Sequence, residues 1–251
     1  MNSIPMSLLV YDNPPEYKTV ESYRTYLREK SNYSCAYCSI SEAESSGATF
    51  NIDHFRPKSL FPYLETQCRN LRYSCPRCNS YKSNNWISKE DGCINDCSEC
   101  KQHICKDNVE RFVDVLIEDP SKIMYLKDDD KLYAYSGSKV GEYTIDYLRL
   151  NRLQLVRLRH VRRFMDNWEQ LLCDKLSCVE NEIQSIQSQL IEFQNNSTIE
   201  ETYKNIILTL FEMLEAQQEN SKIFIEQELS NLRYLKNAMQ GRDDKCLPKV
   251  D

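Results

Sequence analysis

Cys35-Ala36-Tyr37-Cys38 and Cys75-Pro76-Arg77-Cys78 are two thiol pairs, each spaced so that a short turn presents both sulfurs to one metal ion. Between them stand Asp53-His54 and Asn70, and directly after them Asn79, with Lys82 three residues further on. Four soft thiolates complete a tetrahedral zinc site with little backbone strain, which predicts a structural zinc on Cys35, Cys38, Cys75 and Cys78. A histidine offers neutral imidazole near pH 7. A carboxylate and an amide oxygen are hard ligands of the kind that suit Mg²⁺ or Mn²⁺. Phosphodiester hydrolysis needs these parts together: a base for the attacking water, a Lewis acid at the scissile phosphate and leaving oxygen, and positive charge around the phosphate. The expected roles are His54 as base, Asp53 and Asn79 as ligands of a catalytic Mg²⁺ or Mn²⁺, and Arg56, Lys58, Arg77 and Lys82 as phosphate contacts.

A second run offers zinc another site, through Cys93, Cys97 and Cys100 with either Cys105 or His103. An all-cysteine set is the preferred reading, and a reduced, cysteine-rich loop is the alternative. Cys68, Cys173, Cys178 and Cys246 stand apart and read as ordinary thiols. Twelve cysteines in 251 residues would suggest disulfides in an exported chain. Here they cluster at metal-ligand spacings, and the N-terminus lacks a basic segment followed by a long apolar one. No run of about eighteen apolar residues is present. The expectation is a soluble, cytoplasmic chain with no membrane partner.

A net charge of −6 argues against general affinity for nucleic acid until it is divided along the chain. Residues 54–89 carry seven Lys/Arg against the single acid Glu65, and residues 149–163 carry six arginines and no acid. Residues 90–130 hold twelve acids against five bases, and residues 164–251 sixteen against eight. The positive charge therefore falls on the motif and on one downstream segment. The arginines of 149–163 suit either DNA phosphates or the acids of 90–130, and His160 among them reads as structural.

The elements that must position these residues follow from pattern. Tyr23, Tyr26 and Leu27 predict a short helix over 20–30 leading into the first thiol pair. Residues 47–52 read as a turn and strand that deliver Asp53 and His54, and residues 77–86 as a helix carrying Asn79 and Lys82. Two short strands are predicted within 123–135 around the acidic turn Asp128-Asp129-Asp130, and Gly141–Ile145 opens a long helical region. There Leu172, Leu176, Val179, Ile183, Ile186, Leu190 and Phe193 step by 4, 3, 4, 3, 4 and 3, a heptad seam. It stops at Asn195-Asn196, after which Ser197 and Glu200 form a capping box. The next helix would present Ile207, Leu210 and Leu214, a polar interruption at Gln217 and Ser221, then Ile225, Leu229, Leu232 and Met239, making an antiparallel hairpin and a candidate surface for oligomerisation. The predicted organisation is an N-terminal extension and helix (1–30), a metal-stapled core (31–90), a cysteine-rich loop with short strands (91–145) and a helical region (146–251).

The run from Cys35 to about Asn84 resembles the HNH nucleases, the ββα-metal or His-Me finger class. The likeness lies in the thiol pairs, Asp53-His54 with Pro57, Asn70-Leu71, and Cys78-Asn79 with Lys82. It implies an α+β fold in which a small zinc-stapled ββα-metal core precedes a mostly helical C-terminal region. It also implies Asp53 and Asn79 as metal ligands, His54 as general base, and Asn70 as the asparagine that ties down the loop. Asn79 stands where the family often has histidine. His54-Phe55-Arg56-Pro57-Lys58-Ser59, together with Tyr143–Arg152, Leu155-Val156 and Arg159, is similar to the HNH subunit of Septu and retron-associated anti-phage systems. That likeness implies DNA cleavage in company with an ABC-type ATPase, with the acidic hairpin as a docking element. The competing readings are a zinc adaptor without catalysis and a restriction-type or RNA-directed nuclease.

Overall fold

The computed structural model describes residues 6–86, 109–195 and 200–240. The contacts divide the chain into two units, one running to Val161 and the other covering Arg162–Asn237.

In the first unit a 3-10 turn at Glu21–Tyr23, which buries Tyr23, leads into α1 (Arg24–Lys30), which buries Leu27. The chain then folds into a tight knuckle closed by Cys35 N–H to Ile40 C=O (2.8 Å) and Ser39 N–H to Cys35 C=O (2.8 Å). Strands β1 (Asn51–His54) and β2 (Leu71–Ser74) pair antiparallel, from Asn51 opposite Ser74 to His54 opposite Leu71. Helix α2 (Pro76–Lys82) follows at once, with Cys75 as its N-cap and Pro76 in its first turn, where a missing N–H costs no hydrogen bond. It stops at Ser83, whose φ of 46° turns the chain, so it is shorter than the predicted 77–86.

Strands β3 (Met124–Leu126) and β4 (Leu132–Ala134) form the expected hairpin around the acidic turn. Helix α3 (Lys139–Tyr147) is capped by the Ser138 hydroxyl, which accepts from Gly141 N–H at 3.2 Å. Gly141 is required where α3 crosses β4: a Cβ there would sit 2.9 Å from both Ala134 Cβ and the Ile123 carbonyl oxygen. One core joins Tyr37, Phe50, Phe55, Leu71 and Tyr73 to Phe112, Val113, Leu148, Leu150 and Leu155, so it runs across the suggested boundaries at 90 and 145. The buried ion pair Arg72–Asp114 ties the 111–118 segment to β2, and Arg111–Glu118 closes that segment on itself.

Helices α4 (Leu153–Gln194) and α5 (Glu201–Met239) make the second unit an antiparallel hairpin. Gln187 bonds Glu215, Glu180 pairs with Lys222, and Glu169 with Arg233, one partner number descending as the other rises. The predicted α4 seam faces inward: Leu172, Val179 and Ile183 are buried and the remaining positions half-buried. On α5 the seam is corrected. Leu210 and Leu214 are 54% and 49% exposed, while Phe211, packed on Phe193, takes their place. The stripe read from sequence was one residue out of phase at this end. Ser197 of the predicted capping box lies outside the described residues. No helix among the described residues is long and apolar enough to cross a membrane.

Candidate metal centre and nuclease site

The knuckle after α1 and the cap of α2 bring Cys35, Cys38, Cys75 and Cys78 together, with all four sulfurs buried and within 4.8 Å of one another. Cys38 Sγ lies 3.8 Å from Cys75 Sγ. Tetrahedral ligands at 2.3 Å from a zinc ion stand about 3.8 Å apart, whereas a disulfide needs about 2.05 Å, so the spacing fits a shared metal. Hydrogen bonds among the four thiols hold Cys75 well below the ordinary thiol range. The four cysteines can hold a metal, and soft sulfur donors suit zinc. The second predicted set, Cys93, Cys97, Cys100 and Cys105, with the alternative His103, lies outside the described residues.

Asp53 and His54 occupy the end of β1 on opposite faces. The His54 ring is half-buried, with Nε2 2.9 Å from the carbonyl oxygen of Glu65. A carbonyl only accepts, so Nε2 carries the proton of the neutral ring and Nδ1 keeps its lone pair. Asp53 is buried, where the Tyr37 hydroxyl donates to its Oδ2 and Lys82 Nζ lies 3.1 Å away. Lys82 Nζ also donates to the His54 carbonyl oxygen at 2.6 Å, which ties α2 to β1. Burial draws this ammonium below the usual lysine value, and Asp53 opposes the shift. Asn70 is buried beneath the loop between the strands. Its Oδ1 accepts from Arg56 N–H (2.9 Å), and its Nδ2 donates to the carbonyl oxygens of Arg56 (3.0 Å) and Leu64 (3.3 Å). Asn79 stands half-buried on α2.

The expected phosphate contacts divide. Lys58 and Arg77 are exposed, Lys58 beside Glu65 Oε1 (3.0 Å) and Arg77 bonded to Gln154. Arg56 and Lys82 are corrected: both are fully buried, and Lys82 serves Asp53 and the backbone rather than a phosphate. Arg72, counted in the same basic stretch, is buried as well. Arg159 is likewise structural, donating to the carbonyl oxygens of Asp130 and Leu150. Two participants had been missed. Tyr37, between the first two cysteines, reaches Asp53, and Arg152 Nη2 lies 3.7 Å from both Cys38 Sγ and Cys78 Sγ. Tyr37's neighbours in sequence gave a usable hint, whereas nothing in spacing links Arg152 to thiols so distant in the chain.

Residues 35–85 match the HNH endonuclease family model. Septu protein PtuB of Bacillus thuringiensis is 29% identical over 128 residues, covering 51% of this chain and 40% of that protein. Septu protein PtuB of Bacillus mycoides (strain KBAB4) is 28% identical over 211 residues, covering 74% of this chain and 65% of its own length. Septu protein PtuA of the same strain is 30% identical over 177 residues, covering 60% of this chain and 23% of that protein. The chain thus spans less than two thirds of each of these relatives. No solved structure matches it. With the strands, the helix and the four-thiol centre all inside the matched segment, residues 35–85 are an HNH endonuclease domain.

Proposed function

We propose that the chain is a metal-dependent endonuclease that hydrolyses DNA, the nuclease subunit of a Septu-type anti-phage system that works with an ABC-type ATPase. The observation that carries this reading is the His54 ring, oriented by the Glu65 carbonyl so that Nδ1 remains able to take a proton. Similarity to Septu proteins supports the defence setting.

In the proposed reaction a water attacks the phosphorus atom and gives its proton to His54 Nδ1, and the bond from phosphorus to the 3′ oxygen breaks, which leaves a 5′-phosphate and a 3′ oxygen that takes a proton from solvent. Asn70 keeps the loop closed, so that the Glu65 carbonyl stays in place behind the ring. The exposed cations Lys58, whose partner Glu65 also supplies the carbonyl behind the His54 ring, and Arg77, at the start of α2, orient the phosphate backbone. Asp53 and Asn79 offer hard oxygen donors that would hold Mg²⁺ or Mn²⁺. When bound, such an ion supplies charge stabilisation at the phosphate and the leaving oxygen. Lys82 must yield part of the Asp53 carboxylate for that ligand set to form.

His54→Ala is expected to lower nicking of supercoiled plasmid by roughly a hundred-fold or more, with zinc content and far-UV spectrum unchanged. A variant that cuts at the parental rate rejects the assignment. The engagement of Asp53 by Lys82 favours a second reading, a zinc adaptor without catalysis. An adaptor retains zinc yet shows no cleavage dependent on a divalent ion, and it is indifferent to His54.

A further inference from the structure

Helix α5 carries a second heptad stripe, apart from the one that meets α4. Tyr203, Ile206, Leu210 and Met213 lie on it, then Gln217 and Asn220, then Phe224, at successive steps of 3, 4, 3, 4, 3 and 4. Its apolar members are between 54 and 65% exposed. Sustained 3-4 spacing is the pattern that seats another helix by knobs-into-holes packing, so the shape of the occupant is helical.

We propose that this stripe pairs with the same stripe of a second copy of the chain, parallel and related by a two-fold axis. Three observations select a second copy. Asn220 and Gln217 are amides in an otherwise apolar seam, and a partner with amides at the same levels satisfies both their donors and their acceptors. A parallel self-pairing supplies this, and buried Asn pairs fix register in this manner. The acidic chain would repel itself, yet the flanking positions Thr209, Leu214, Ala216, Ser221 and Ile223 carry no charge. Glu212, Glu219 and Glu226 lie further round the helix by its own periodicity. With Leu214 and Ile223 at its edges, the stripe presents seven exposed apolar side chains along three heptads, a continuous face of the kind that a pair of helices covers.

The test is sedimentation velocity of the full chain in reductant, over about 1 to 100 µM, the range in which such pairs dissociate. The expected result is a species of twice the chain mass. Leu210→Glu with Met213→Glu should reduce it to the monomer, while Leu210→Met with Met213→Leu should keep the dimer. Should the glutamate pair lose helicity, Asn220→Lys, a change at an exposed polar position, must split the dimer by itself. A parental chain that is monomeric throughout, whether or not it binds another protein, overturns the proposal. So does a dimer that survives Asn220→Lys.

Discussion

Cys38 and Cys78 each face the same Arg152 guanidinium at 3.7 Å, which makes this arginine the charge partner of the four-thiol centre. Four thiolates around a dication leave an excess of negative charge, and N–H donors to the sulfurs lower its cost. Arg152→Met should therefore weaken zinc binding about ten-fold or more, read by competition with a chromophoric chelator. Arg152→Lys should recover only part of that, because an ammonium lacks the planar fork that spans two sulfurs. Equal affinity in the parent and the methionine variant rejects the role. The ligands themselves were legible from spacing, since paired cysteines announce a metal before any fold is known. Lys82 was misread because a count of charges is blind to burial. A signal did exist: Lys82 lies four residues after the buried Cys78, on the same face of α2. Arg56, between Phe55 and Pro57, gave none.

At the scale of elements the site depends on a loop with little regular structure, whose backbone the buried Asn70 side chain ties together. Asn70 makes three hydrogen bonds to the backbone of Arg56 and Leu64 from a buried position, so the loop that carries Glu65 is pinned to the start of β2. Asn70→Ala strands the buried Arg56 N–H and carbonyl, a cost of about 2 kcal/mol. The expected readout is a fall of several degrees in the melting temperature of the first unit, with cleavage reduced because the His54 ring loses its fixed partner. A variant with parental stability would show that the loop holds itself. The first strand and the helix could be read from their patterns and from the turn residues, whereas β2 could not, because all four of its residues are buried and it shows no alternation. The early end of α2 could not, because the turn at Ser83 comes from a positive φ at a residue type that gives no warning of it. The inner seam of α4 was read correctly because seven apolar residues keep one phase. On α5 the apolar residues form two stripes, and sequence alone does not say which of them meets α4.

Across the whole molecule the two units draw their stability from different sources, and removal of metal should separate them. The four cysteines sit in the same core as Tyr37, Phe50, Leu148 and Leu155, so loss of a metal there places four unbridged thiols at the centre of the first unit. A structural zinc contributes its binding energy directly to folding. The second unit is held by Leu172, Val179, Ile183 and Leu229 and by ion pairs between its helices, which involve no ligand of that centre. It holds most of α4 and α5, which are 42 and 39 residues long and supply most of the helical content among the described residues. A strong chelator should therefore abolish the near-UV signal of the first unit and its melting transition, while most of the ellipticity at 222 nm persists to a second transition. Two-state behaviour should fail in this way because the units have separate cores. If the 222 nm signal collapses together with the near-UV signal, the hairpin depends on the first unit. If neither signal changes, the four-thiol centre contributes nothing to the fold.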